Sequence, residues 1–435
     1  MKISYTWLHE YLPITLSLGE LSAILTSIGL EVEGIEHFER VKGSLNGLII
    51  GEVLDIQPHS NADKLKITKV NIGSENVLQI VCGAANVAIG QKVIVATVGT
   101  TIYPINGDPI TMKVAKIRGI ESYGMICAED EIGISNDHNG IMVLPNDCIS
   151  GTPAITHFKP YEDDIIEIGL TPNRMDAMSH LGVAKDVCAY LTHHHKKTYQ
   201  PKYPYNNTLH IDNNTLSIKV DIQNNQACKR YSGISLSGIN VQPSPQWLAN
   251  KLLAIGIKPI NNVVDVSNYI LHETGHPMHI FDADTIHDKT IIVKNAITHI
   301  PFKTLDGKER ELHVDDLIIY NSIEPMCIAG VFGGQHSGVT ENTKNIFIES
   351  AWFNPVNIRK TSTHHGLRTE AATRFEKGVD ISQTVQVLKR AVLMIQEIAG
   401  GKITSDVVDI YPQPMIKKEI TFSFNYLKKI IGKNY

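Results

Sequence analysis

The sequence predicts an α+β chain of several domains, with a small β-barrel near the start and a larger α+β region after it. Three observations predict this. A chain of 435 residues is too long for one ordinary domain and suggests two to four. Short apolar stretches divided by turn signals dominate residues 41–153, as in a barrel of short strands. Helical and alternating patterns interleave from about 217 to 400.

Composition narrows the class. With 43% hydrophobic and 20% charged residues, the chain is globular, neither disordered nor collagen-like. No run approaches the ~18 apolar residues of a membrane-spanning helix. Residues 1–10 contain no apolar core of a secretory signal. Lys and Arg number 40 against 45 Asp and Glu, a net charge of −5. That excludes a bulk electrostatic grip on nucleic acid but leaves room for a local basic groove. The six cysteines are scattered without a CxxC pair, so they read as reduced thiols of a cytosolic protein.

In chain order, residues 1–40 carry one clear helix. Ser17 with Glu20 forms a capping box, Leu18, Leu21, Leu25 and Ile28 recur at helical spacing, and Gly29 suits the C-terminal cap. Strands are expected at 48–56, 65–72, 77–82, 92–98, 111–117 and 124–127. Gly73-Ser74, Asn86, Gly99 and residues 106–109 mark the turns. A helix is expected from Ser179 to about Thr192, and a Pro-, Asn- and Tyr-rich linker over 199–214. Ser244-Pro245 opens another helix, with Ser244 as cap and Pro245 first inside, ending near Gly256. A further helix is expected over 262–273, and strands over 290–294 and 345–349. Ile381, Val385, Leu388, Val392, Ile395 and Ile398 form one face of a long helix that Gly400-Gly401 stops. Ile420, Phe422 and Phe424 alternate like a strand, and a helix begins at Tyr426. A domain that starts and does not finish suggests a truncated chain.

Several motifs carry possible chemistry. His272-Glu273-Thr274-Gly275-His276 is a formal HExxH, the pattern of a zinc protease. Gly275 inside it and Pro277 after it instead predict a helix end running into a turn. His193-His194-His195-Lys196-Lys197 reads as a solvated helix end. The Gly-rich stretch 330–338 lacks the Lys-Ser/Thr of a P-loop, so its glycines read as points of close backbone approach. Cations recur at Lys64 and Lys66, and at Lys113, Lys116 and Arg118, as on an oligonucleotide-binding barrel or an ordinary solvated face.

Ordered motifs then narrow the reading. His59-Ser60-Asn61-Ala62-Asp63-Lys64-Leu65, Ile80-Val81-Cys82-Gly83-Ala84-Ala85-Asn86 and Arg118-Gly119-Ile120-Glu121-Ser122-Tyr123-Gly124 resemble a tRNA-binding OB-fold module. Trp7-Leu8, Thr171-Pro172-Asn173-Arg174-Met175-Asp176 and Ser179-His180-Leu181-Gly182 resemble the beta subunit of bacterial phenylalanyl-tRNA synthetases. So do residues 263–269, Gly275-His276-Pro277-Met278-His279-Ile280-Phe281-Asp282, the 330–339 turn, 365–371 and 374–380. The resemblance implies a fold and a division of the chain. An OB-fold barrel (41–153) is inserted in a small N-terminal α/β domain (1–40 and 154–200). An α+β B3/B4 editing domain (215–402) and the start of a B5-like domain (405–435) follow.

The resemblance also implies function: binding of tRNA(Phe) and hydrolysis of tyrosine wrongly attached to it. Asn61, Lys64, Asn86, Lys116, Arg118 and Ser122 would contact tRNA. His279 would orient or polarise water, Glu349 would accept the tyrosine phenol proton, and Thr369 would complete the catalytic set. Lys258, Gly333 and Ala371 would line the substrate pocket. Lys258 stands where the family often has Arg, His276 where Gln is common, Gln335 for a frequent Glu, and Glu370 for a frequent Asp. The physical need is plain. An apolar pocket rejects an added hydroxyl by only about a hundredfold, whereas a site that hydrogen-bonds it discriminates far better. Aminoacylation is expected to need the alpha subunit of an alpha2beta2 assembly, with ATP and Mg2+ there. No metal, no cofactor and no membrane partner is expected of this chain. The alternative reading is a tRNA-binding scaffold without catalysis.

Overall fold

The structure is a computed structural model that describes residues 1–73, 77–205, 208–297 and 300–434. Ser74 of the expected 73–74 turn and residues 206–207 of the expected linker lie outside them. The chain divides into two compact units. The first holds Met1–Leu170, Val183–Lys202 and Pro245–Pro259, and the second holds Thr171–Gly182, Tyr203–Ser244 and Ile260–Tyr435.

In the first unit, strand Glu162–Gly169 lies between Lys2–Ser4 and Glu31–Glu39, antiparallel to both. Buried Asp163 takes hydrogen bonds from the Ser4 hydroxyl at 2.5 Å and the Tyr161 hydroxyl at 2.7 Å, which fixes the start of that sheet. Helix Leu18–Ser27 carries the expected capping box, and Gly29 follows with φ +83°.

The long strand Leu48–Pro58 pairs with Lys92–Thr97 on one side and Lys66–Asn71 on the other. Leu78–Cys82 extends one edge, and Gly124–Ile126 extends the other. The edges then meet: the Tyr123 N–H donates to the Gln79 carbonyl at 2.9 Å, and the Val81 N–H donates to Ser122 Oγ at 3.1 Å. The sheet is therefore a nearly closed barrel. Val93 and Val95 face one apolar cluster, and Ile94 and Ala96 face another, the period-2 pattern of a strand buried on both sides. Gly51 is required there, because a Cβ would lie 2.7 Å from Val70 and 2.8 Å from Val95.

The second unit packs two sheets face to face. One has the order Lys219–Ile222, Thr290–Asn295, Leu317–Tyr320, Pro325–Ile328, Phe332–Gly333. The other has the order His279–Asp282, Asn345–Phe353, Cys228–Ser237, Lys402–Ile403. Tyr231, Phe281, Phe347 and Phe353 from the second sheet share one core with Ile318, Cys327 and Ile328 from the first. Helix Thr384–Ala399 buries Leu388, Val392 and Ile395 at helical spacing and packs on Cys228–Ser237 and Asn345–Phe353.

Four local expectations need correction. The stretch 111–117 is not one strand. Ile110–Thr111 pairs with Thr101–Ile102, and Ala115–Ile117 forms a hairpin with Ile120–Ser122. Arg118 and Gly119 turn that hairpin with φ +46° and +98°, the left-handed pair that two-residue hairpin loops need. Pro245 is the N-cap of helix Gln246–Ala254, not its first residue. Ser244 does not cap that helix; its hydroxyl donates to Asp265 at 2.5 Å. Ile381 precedes the long helix in a single 3-10 turn, Ile381–Gln383. No strand forms over 411–423 among the described residues, where alternation finds no sheet edge to pair with; helix Phe424–Ile431 follows, capped by Ser423.

Helix His180–His195 runs three residues past Thr192, and His193, His194 and His195 are exposed at its end. All six cysteines are free, and five are buried. No helix among the described residues is long and apolar enough to cross a membrane.

Candidate functional site

The pairing of His279–Asp282 with Asn345–Phe353 puts His279 directly opposite Glu349. Directly paired residues share a sheet face, with Cβ atoms roughly 4.5–5.5 Å apart. Phe281 and Phe347 lie on that face, which is the one turned to the core. On the far side of Asn345–Phe353, Gly233 is opposite Glu349, and Tyr231 is opposite Ala351. The Tyr231 hydroxyl donates to Glu349 Oε2 at 2.8 Å, inside the core.

Burial sets the protonation of this pair. It raises the Glu349 carboxyl to about 8, only partly opposed by the Tyr231 hydrogen bond. At neutral pH the carboxyl is therefore mostly protonated. Burial lowers His279 to about 4, so its imidazole is neutral. The ring packs edge-on against Phe281 at 4.4 Å, and Nε2 has no hydrogen-bond partner among the described residues. A neutral imidazole with a free nitrogen can accept a proton from water.

Gly333 comes from the opposite sheet, paired with Cys327. A Cβ there would lie 2.8 Å from His279 Cε1, so glycine is what lets the imidazole occupy that position. Thr369 caps helix Glu370–Lys377: its Oγ1 accepts from the Ala372 N–H at 3.0 Å and donates to the Val331 carbonyl at 2.9 Å. The hydroxyl therefore ties the helix start to the 330–334 turn. Ala371 is half-buried in the first turn of that helix.

The structure thus brings His279, Glu349 and Gly333 together directly, and Thr369 joins through Val331. Lys258 is exposed, on the segment after helix Gln246–Ala254 in the first unit. Sequence reasoning missed Tyr231. It lies 118 residues from Glu349, and nothing local distinguishes it from any strand tyrosine.

The HExxH pattern does not form a zinc-protease helix. Helix Val264–Thr274 ends at Gly275 with φ +78°, which leaves His276 outside it. Glu273 is fully buried and takes a bidentate pair from Arg390, both contacts at 3.1 Å. Among the described residues, no group of three or more His, Cys, Asp or Glu is placed to hold a metal.

The six barrel residues fall into two kinds. Asn61, Lys64, Lys116 and Arg118 are exposed, and Arg118 reaches the Asn61 carbonyl at 3.4 Å. Asn86, also exposed, and buried Ser122 have structural partners. Asn86 donates to the Ile141 carbonyl at 2.9 Å and accepts from the Ile141 N–H at 3.0 Å. Buried Ser122 accepts from Val81 at the barrel closure and donates to the Gly124 carbonyl at 2.9 Å. Lys66, read as a strand-face cation, instead donates to the Ala85 and Val87 carbonyls, both at 3.1 Å.

Residues 48–153 match the family model described as a putative tRNA binding domain, and residues 227–400 match the B3/4 domain. The phenylalanine–tRNA ligase beta subunit of Bacteroides fragilis is 49% identical over 434 residues, 100% of this chain and 53% of that protein. Its counterpart in Bacteroides thetaiotaomicron is 49% identical over 437 residues, with the same coverage. That of Porphyromonas gingivalis is 48% identical over 437 residues, 100% of this chain and 52% of that protein. The chain spans about half the length of these curated relatives. With its two matched domains in this order and similarity from end to end, the chain belongs to the phenylalanine–tRNA ligase beta-subunit family.

Proposed function

We propose that this chain binds tRNA(Phe) through its barrel and hydrolyses tyrosine misattached to that tRNA at the His279–Glu349 pair. The observation that carries the reading is the buried carboxyl of Glu349 directly opposite a neutral His279. Tyr231 engages one carboxyl oxygen. The other would meet the phenol of a substrate tyrosine. A phenylalanine side chain would leave that buried group unpaired, at a cost of about 1–3 kcal/mol. His279 would draw a proton from water as its oxygen attacks the ester carbonyl. The bond between that carbonyl carbon and the ribose oxygen then breaks, and the ribose oxygen takes a proton as it leaves.

In this reading the whole ligase attaches phenylalanine with an alpha subunit, in an alpha2beta2 assembly, using ATP and Mg2+ in the cytoplasm. The beta chain would supply tRNA contacts and editing. The deciding experiment compares release of tyrosine and phenylalanine from tRNA(Phe) by this chain and by the complete ligase. Selective tyrosine release, lost in His279→Ala and Glu349→Ala, is expected. Equal rates in both variants would remove the site assignment. Release by the complete ligase alone would favour a binding and scaffold role for this part.

A further inference from the structure

The second unit carries a groove of about 710 Å³ whose lining is polar except for Pro172. Arg359, Arg368 and Lys377 line it with three hydroxyl side chains and one carboxylate, Glu376. Three cations against one carboxylate make the groove positive on a chain whose net charge is −5. Arg359 and Arg368 are exposed and form no ion pair among the described residues. Glu370, which could have neutralised Arg368, is paired with buried Arg374.

The groove is built on the frame of the candidate site. Arg368 precedes Thr369, whose hydroxyl holds the Val331 carbonyl at 2.9 Å. Two residues beyond Val331, Gly333 abuts His279. Unpaired guanidiniums beside hydroxyls suit phosphate oxygens, which take paired N–H donors from arginine and O–H donors from serine and threonine. The lining offers no aromatic or aliphatic anchor for a peptide. A neighbouring hollow of about 700 Å³ shares Arg359 but carries Asp315 and Asp316, so its charge is mixed.

We propose that this groove holds the phosphodiester backbone of an RNA whose aminoacylated end reaches the His279–Glu349 pair. The proposal rests on the hydrolytic reading for the position of that end, but not for the binding of RNA.

The test measures binding of unacylated tRNA(Phe) by fluorescence anisotropy across a salt series. The proteins are this chain, its Arg359→Ala/Arg368→Ala variant, and a Lys417→Ala/Lys418→Ala control that loses equal charge from an exposed stretch. The groove variant is expected to bind roughly tenfold more weakly at moderate salt. Its log–log salt slope should be shallower by about 0.7–0.9 per lost phosphate contact. The control should match the parent, and Arg368→Lys should restore the slope more fully than the affinity.

An unchanged slope in the groove variant, or an equal loss in the control, overturns the proposal. Failure is separable from that of the hydrolytic reading. A slope change in the groove variant without tyrosine release by the parent chain supports the groove while removing the hydrolytic assignment.

Discussion

The Tyr231 hydroxyl donates to Glu349 at 2.8 Å, and both side chains are buried. The contact is itself a tyrosine hydroxyl on the carboxyl proposed to recognise one. It also holds Glu349 in place without using its second oxygen, which leaves that oxygen for the proposed recognition.

Tyr231→Phe leaves that carboxyl without its donor. Because the hydrogen bond lowers the carboxyl's proton affinity, the Glu349 value is expected to rise further. Stability should fall by about 1–3 kcal/mol. Denaturant unfolding checks the second effect, and carboxyl infrared bands across a pH series check the first.

Gly333→Ala puts a methyl 2.8 Å from the His279 ring. Tyrosine release should fall at least tenfold, with a stability loss of about 1–3 kcal/mol from overpacking. Adding His279→Ala should return part of the stability but none of the hydrolysis. A double-mutant cycle measured by thermal melting reads the coupling.

Two opposing pH effects are expected. Burial lowers His272 to about 3, and His276 and His279 to about 4. These groups contribute stability above about pH 6.5 that is lost as pH falls toward 4. Glu349 acts the other way: raised to about 8, it contributes stability below about pH 4.5 that is lost as pH rises through 8. Melting temperature against pH should fall on the acid side less steeply in His276→Gln, and on the alkaline side less steeply in Glu349→Gln.

The barrel residues should separate by readout. Ser122→Ala removes the acceptor at the barrel closure and should cost about 1–3 kcal/mol in stability. Lys116→Ala/Arg118→Ala should leave melting unchanged while the salt slope of tRNA binding becomes shallower by about 0.7–0.9 per contact. A melting change in the cationic pair and none in Ser122→Ala would reverse these roles.

Glu273→Gln removes the charge from a fully buried carboxylate paired with half-buried Arg390 and should destabilise the chain by about 1–3 kcal/mol. A chelator should leave its melting temperature unchanged. A drop on chelation, restored by zinc, would return the HExxH residues to a metal role.

Local chemistry was legible in the sequence. Ser17 and Glu20 specify a helix start because their partners lie within one turn. Val93 to Ala96 read as a strand because a short, largely β-branched apolar run between turn signals is visible in neighbours alone. Gly275 and Pro277 mark the end of a helix because both lie within one turn of it. The motifs held His279 and Gly333, whereas Glu349 came only from the family resemblance. Only tertiary structure decided what those residues face. The register that sets His279 against Glu349, the phenol of Tyr231 on that carboxyl, and the protonation that burial imposes all depend on strands distant in the chain. The same holds for Asn86 and Ser122, whose polar atoms are used in closing loops and the barrel. It holds in reverse for Ile420, Phe422 and Phe424, whose alternation met no sheet edge. A sequence encodes propensity over a few residues, whereas register, burial and charge state are fixed by which distant surfaces exclude water from one another.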